Sequence, residues 1–263
     1  MCISSGQSII LAMKTLLLTG DDGYNALGVR LLAQIFKIDY EVTIVASKVQ
    51  KSGAGGSVKA YGSKEWGMET IDGIDAYWVE GTPADAMEFA QGYFKNGFDY
   101  LISGINIGEN IGLSTITASG TGGAAIRALT LGIAPRVIIM SWMQTSQDSG
   151  NWARETKEEV VANYLEYPGK AVKFIFEEII NNDYFGKKLI NVNFPANPTR
   201  DYKVTKLLQD LTKFYKYPVI VSDNTFAYGE QVYNYTEETK SDISTDVGAL
   251  LSGYISVTPF VIE

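Results

Sequence analysis

The residues of this chain that could do chemistry cluster around glycines. Thr19-Gly20-Asp21-Asp22-Gly23 places two adjacent carboxylates in a turn at the end of a short apolar run. Two such charges repel each other unless a cation sits between them, and carboxylate oxygens select hard ions such as Mg²⁺ or Mn²⁺. The same residues would also make an ordinary turn with helix-capping aspartates. Lys51-Ser52-Gly53-Ala54-Gly55-Gly56-Ser57 offers hydroxyls and a backbone that a ligand can approach closely. It lacks the spacing and the Gly-Lys-Ser/Thr ending of a P-loop, and a merely flexible loop explains it equally well. From Ser103 to Gly112 the chain alternates Gly with Asn106 and Asn110. An Asn carbonyl can complete an oxygen coordination sphere without adding charge, or it can simply satisfy the backbone of a turn.

Ser119-Gly120-Thr121-Gly122-Gly123-Ala124-Ala125 opens a helix. Ser119 or Thr121 can cap it, and the free amides of its first turn form a ready anion site. The string matches G-x-G-x-x-A, but it does not directly follow a strand. No carboxylate stands about twenty residues on, where a dinucleotide ribose wants one. A phosphate cradle is the better reading, with tight helix–sheet packing as a companion role for the small residues. Gly81-Thr82-Pro83-Ala84-Asp85 begins another helix and reads as mainly structural. Pro83 suits the first helical turn, Asp85 complements the helix dipole, and Thr82 falls near the rim of the site.

Composition removes several competing chemistries. The 263 residues include no histidine, which excludes serine–histidine and cysteine–histidine nucleophiles and histidine-ligated metals. The single cysteine, Cys2, can form neither an internal disulfide nor a thiolate cage. Thirty acidic against 22 basic residues give a net charge of −8, which disfavours a nucleic-acid polymer as partner. The apolar stretch Ile9 to Met13 is too short to span a bilayer, and no basic cluster or cleavage site precedes it. The chain therefore reads as cytoplasmic, with no membrane partner. Residues 1–12 read as an extension or alternative start upstream of Met13-Lys14.

The elements that must position these loops alternate between strand and helix. Thr15 to Thr19, Tyr40 to Ala46, Phe98 to Ser103, Arg136 to Ser141 and Lys188 to Phe194 are apolar β runs. Gly28 to Lys37, Ala84 to Tyr93 and Gly122 to Leu131 have helical spacing, and one long amphipathic helix is expected over Lys157 to Asn182. Such alternation implies an α/β fold, a parallel sheet covered on both faces, with ligands bound at the carboxyl ends of its strands. Lys203 to Tyr235, rich in Tyr, Val and Thr, reads instead as hairpins whose exposed edges another subunit would cover. An acidic pair, hydroxyl and amide oxygens, a phosphate-sized helix N-terminus and no histidine together describe metal-assisted phosphoryl hydrolysis.

These motifs resemble, in order, those of the SurE (stationary-phase survival protein) nucleotidase family. LLLTGDDGYNALGV is similar to its opening metal loop, KSGAGGS to its second loop and GTPADAMEFA to its GTPAD helix. SGINIGENIG with SGTGGAAIRA resembles its most specific block, and LINVNFP and TDVGALLSGYISVTPF its later signatures. The resemblance covers about residues 14–260. It implies a Rossmann-like three-layer core over 13–200 with a mostly parallel sheet. It also implies a hairpin-rich segment over 201–263 that returns to the core and builds a homodimer or homotetramer. The activity implied is divalent-metal-dependent hydrolysis of nucleoside 5′- and 3′-monophosphates, with short polyphosphate as a further substrate of some members. One Mg²⁺ or Mn²⁺ per subunit would be held by Asp21, Asp22, Ser52 and Asn106, with Asp21 or Asp22 orienting or deprotonating the attacking water. Ser119, Gly120 and Thr121 would hold phosphate, with Asn110 close by. Two positions depart from the family pattern: Gly20 stands where Asn is usual, and Ser47 where Pro is usual. The Gly20 departure motivates an alternative, a nucleotide-binding sensor that has lost hydrolysis.

Overall fold

The computed structural model describes residues 12–144, 157–187, 189–214, 216–228 and 235–261. Most of the proposed N-terminal extension, residues 1–11, lies outside them, as do residues 215 and 229–234 of the expected hairpin region. The elements run β1 (Thr15–Thr19), α1 (Leu27–Phe36), β2 (Glu41–Ser47), β3 (Trp66–Ile71), β4 (Ile74–Val79), α2 (Pro83–Tyr93), β5 (Tyr100–Ile107), α3 (Gly112–Ala118) and α4 (Gly120–Leu131). They continue with β6 (Val137–Trp142), α5 (Glu158–Ala162), α6 (Lys170–Asn181), β7 (Leu189–Phe194), β8 (Tyr202–Val204), β9 (Val219–Ser222), β10 (Thr225–Ala227), α7 (Glu237–Ser241), α8 (Asp246–Leu251) and β11 (Ile255–Phe260).

Nine strands form one sheet in the order β3-β4-β2-β1-β5-β6-β7-β11-β8. Its centre is parallel: β1 lies between β2 and β5, and β6 between β5 and β7. The antiparallel pairs are β3 with β4 and β7 with β11. Alternation along β1 explains its unbroken apolar sequence. Leu16 and Leu18 pack with α1 and α6 on one face, whereas Leu17 packs with α2 and α4 on the other. The fold is therefore a three-layer α/β sandwich, and its loops at the carboxyl ends of β1, β2 and β5 rise on one side.

Three local features differ from the sequence reading. The helix expected over Lys157 to Asn182 is broken: Tyr167 has φ −146° and ψ 130°, and α6 starts only at Lys170. Pro168 is the cause, because proline pushes its predecessor out of the helical region and donates no amide hydrogen bond. The strand ending at Ser103 instead runs on to Ile107, with a register shift between Ser103 and Asn106. The hairpin of β3 and β4 was not anticipated. Its turn is Asp72-Gly73, with φ 54° and 81°, a pairing suited to tight two-residue connections.

Asp72 also receives a fork from Arg30 of α1, Nε to Oδ2 at 3.0 Å and Nη2 to Oδ1 at 2.7 Å, with both side chains buried. Asp72→Ala would leave that guanidinium buried without its carboxylate. The expected loss is about 3 kcal/mol in urea denaturation; a loss below about 1 kcal/mol would show that the pair contributes little.

Toward the C-terminus, β11 enters the main sheet between β7 and β8, while β9 and β10 form a separate two-stranded ribbon. Among the described residues no helix is long and apolar enough to cross a membrane.

Candidate active site

The acid pair is displayed where β1 ends. Thr19 is fully buried, and Asp21 and Asp22 are only 3% and 7% exposed. The Asp21 carbonyl accepts a hydrogen bond from the Lys51 amide at 2.6 Å, which ties the Ser52 loop to the acidic turn. Thr121, in the first turn of α4, donates its hydroxyl to Asp21 Oδ1 at 2.6 Å and lies 3.4 Å from Asn106 Oδ1. Asn106 is oriented from its other end, where Nδ2 donates to the Gly108 carbonyl at 2.7 Å. The Thr121 hydroxyl thus brings together three elements distant in sequence: α4, the turn after β1 and the end of β5.

Helix α4 reaches this position through its glycines. Ser119 is the N-cap and accepts from the Gly122 amide at 3.2 Å. A Cβ on Gly120 would fall 2.7 Å from Asp21 Cβ, and one on Gly123 would fall 2.1 Å from the Gly55 carbonyl oxygen. The small residues were expected to serve helix–sheet packing. Here Gly120 and Gly123 let the helix N-terminus press against two loops, the acidic turn and the Ser52–Gly55 segment.

Burial and mutual repulsion hold the pair toward its protonated form in the absence of a cation. Burial pushes the Asp22 carboxyl up to about 8, the Asp21 charge adds to it, and the Ile107 backbone and Gln50 side chain partly offset both. Asp21 is also raised, by burial first, with the Thr121 hydroxyl and nearby backbone groups opposing. Asp22 Oδ1 is buried with no hydrogen-bond partner among the described residues. No lysine or arginine is found among the described residues that line the two cavities around the pair. Nor do three or more Asp, Glu, His or Cys residues form a group that could hold a metal ion among the described residues. A cation here would rest on two carboxylates supplemented by neutral oxygens such as Asn106 Oδ1 and Ser52 Oγ. That donor set fits a hard divalent ion, and the orphaned Asp22 oxygen is a natural ligand.

Beside the pair lies a cavity of about 530 Å³. Of the residues singled out in the sequence, Asp21, Ser52, Asn106, Asn110 and Ser119 line it. Asp22 and Thr121, with Gly20, line a smaller void that Asp21 and Asn106 share, and Gly120 abuts Asp21. All eight candidate residues therefore meet at one place. At Gly20 an added Cβ would make only ordinary contacts, 3.5 Å from Val29 Cγ1, so space for a side chain remains there.

Several site-building residues were not foreseen. Asn110 is held by a buried network: its amide donates to Asn193 Oδ1 at 2.8 Å, its Nδ2 to Ser141 Oγ at 2.9 Å, and its carbonyl accepts from Asn191 Nδ2 at 2.7 Å. The signal was available in LINVNFP, where two amides sit at alternate positions of an otherwise apolar strand. Buried Asp246 of α8 accepts from the amides of Gly112 at 2.7 Å and Leu208 at 2.9 Å, fastening the C-terminal segment to the start of α3.

A model of the survival protein SurE family matches residues 16–214. The chain belongs to the SurE family. Among its relatives is a 5′-nucleotidase SurE of Methanocorpusculum labreanum, 32% identical over 252 residues that cover 94% of this chain and 91% of that one. A 5′-nucleotidase SurE of Clostridium beijerinckii is 30% identical over 246 residues, covering 93% and 91%. The crystal structure of a SurE protein from Aquifex aeolicus superposes with a TM-score of 0.68 at 26% identity, covering 95% of this chain and 94% of that one. Asp21, Asp22, Ser52, Asn106 and the Ser119–Thr121 helix start all fall inside the SurE match, whereas Asp246 and β11 lie beyond it.

Proposed function

We propose that this SurE-family chain hydrolyses nucleoside 5′- and 3′-monophosphates to nucleoside and phosphate with the help of one divalent cation, Mg²⁺ or Mn²⁺. The observation that carries the reading is the buried acid pair, short of positive charge, at the edge of a cavity whose wall includes the start of α4. The relatives' name, 5′-nucleotidase, supports the substrate class. Asp21, Asp22, Ser52 and Asn106 hold the cation, which when bound neutralises phosphate charge and makes a water more acidic. Ser119, Gly120 and Thr121 bring first-turn amides, and Ser119 its hydroxyl, to the phosphate, and preorganised donors of this kind stabilise charge on its equatorial oxygens. Asn110, fixed by its amide network, closes the neighbouring wall. With no histidine in the chain, the acid pair orients the attacking water and accepts its proton. The ribbon of β9 and β10 carries Val219, Ile220, Val221 and Phe226 exposed, and supports assembly into a homodimer or homotetramer.

The test is phosphate release from a panel of nucleoside monophosphates and short polyphosphate, run in parallel with EDTA, Mg²⁺ and Mn²⁺. Release that requires added metal is expected. Nucleotide binding without release under any metal would instead favour a sensor, and light scattering that shows only monomer would remove the assembly.

A further inference from the structure

The polar groups of the site address only what every phosphate ester shares. Selecting a nucleotide requires a side chain that meets the base, and the cavity wall contains one suitable group. Tyr217 is the single aromatic ring among the described lining residues. It does not come from the α/β core loops but from the segment between β8 and β9.

That segment is fastened close to the ring. Phe214, three residues earlier, is buried against Ile111, Val247 and Leu250. Its ring sits where a Cβ on Gly112 would fall, 2.6 Å from Phe214 Cζ, so the glycine that opens α3 makes room for the anchor. The Leu113 amide donates to the Leu208 carbonyl at 2.9 Å, and Thr239 Oγ1 donates to the Lys213 carbonyl at 3.0 Å. Buried Asp246 accepts from the amides of both Leu208 and Gly112. The chain at Leu208, Lys213 and Phe214 is thus pinned to α3's first turn and to the tail, and Tyr217 stands just beyond the pinned stretch with 59% of its surface exposed. An anchored backbone with an exposed ring on a cavity of about 530 Å³ is a built platform for a flat apolar group.

We infer that Tyr217 is the specificity-determining residue for the nucleoside: the base stacks on its ring while the phosphate occupies the start of α4. This rests on the hydrolase reading above and adds the group that separates nucleotides from other phosphate esters. Because every base presents a π-face, the preference it confers is for a base as such, with tolerance toward which one.

The two products of the reaction allow a test that treats the ends of the substrate separately. The nucleoside and inorganic phosphate are each titrated as competitive inhibitors of nucleotide hydrolysis, with Mn²⁺ present, for the unmodified protein, Tyr217→Ala and Tyr217→Phe. Base–aromatic stacking of ordinary strength corresponds to roughly a five- to hundredfold effect. Tyr217→Ala should therefore raise the inhibition constant of the nucleoside about tenfold and move that of phosphate less than twofold. Tyr217→Phe keeps the ring and should keep the nucleoside constant. The proposal is overturned if Tyr217→Ala leaves the nucleoside constant unchanged, if both constants rise together, or if Phe behaves as Ala. Should the unmodified protein release no phosphate, the hydrolase reading fails on its own. Calorimetric titration with the nucleoside monophosphate then decides the role of Tyr217: about tenfold weaker binding by Tyr217→Ala supports it, and unchanged or undetectable binding by the unmodified protein and the variant alike overturns it.

Discussion

Asp22→Asn should abolish phosphate release, by at least about a thousandfold, and at the same time make the metal-free protein more stable. A thousandfold loss corresponds to about 4 kcal/mol of transition-state stabilisation, reasonable for a carboxylate proposed both to hold the cation and to serve the attacking water. The gain in stability follows from the same side chain. Asp22 is buried beside Asp21 with one oxygen unpartnered among the described residues, and burial raises its folded carboxyl to about 8 against 3.8 for an ordinary aspartate. A carboxyl raised on folding contributes its stability in the protonated form. That contribution is fully present below about pH 4 and is lost as pH rises through about 8. In EDTA, the native protein should therefore weaken across this window through Asp22. Asparagine keeps the shape without the charge and should flatten the profile, with a gain on the order of a few kcal/mol at pH 8. Urea denaturation at several pH values in EDTA measures it. Near-normal turnover by the variant would remove the carboxylate from the mechanism, and an unchanged pH profile of stability would remove the strain argument.

Gly123→Ala is expected to lower kcat/KM about a hundredfold although its side chain would touch neither substrate nor cation. The new methyl would sit 2.1 Å from the Gly55 oxygen and 2.6 Å from the Gly56 nitrogen, both backbone atoms that no rotamer change can move aside. The Gly55 amide donates to the Ala118 carbonyl at 3.0 Å and Lys51 is tied to Asp21, so the loop that carries Ser52 would shift as a unit away from the acid pair. Misplacing a reacting or liganding group by about 1 Å costs on the order of a hundredfold. Overpacking should also destabilise the fold by about 1–3 kcal/mol. Gly56→Ala is the control, since nothing lies within 4 Å of its added Cβ. Steady-state kinetics and thermal melting of the two variants decide the matter; equal behaviour would show that the loop accommodates the methyl and that close approach of α4 is not required.

Asp72→Ala also illustrates where the sequence is hard to read. The Asp72-Gly73 turn was written in the chain, but β3 has the burial of an edge strand, with Trp66 and Met68 exposed, so its apolar pattern was weak. The break at Pro168 is likewise legible, but the amphipathic period of α6 beyond it reads as one longer helix.

The alternation of the central strands β1, β2, β5, β6 and β7 with α1, α2 and α4, the exclusion of histidine and thiol chemistry, and the identity of the loops that meet are legible in the sequence. Those are local properties: apolar runs imply strands buried on both faces, Gly-rich endings imply shaped loops, and composition is countable. The cap at Ser119 follows from the same short-range rules, whereas the Thr82–Asp85 capping box emerges only in the structure. How the loops meet is a property of the three-dimensional packing. It placed the Thr121 hydroxyl on Asp21 across a separation of 100 residues and locked Asn110 into amides of β7 more than 80 residues away. It also brought Tyr217 from a C-terminal segment to the cavity wall. The high Asp22 pKa belongs to this second class as well, because desolvation comes from the whole surrounding packing and no window of sequence contains it.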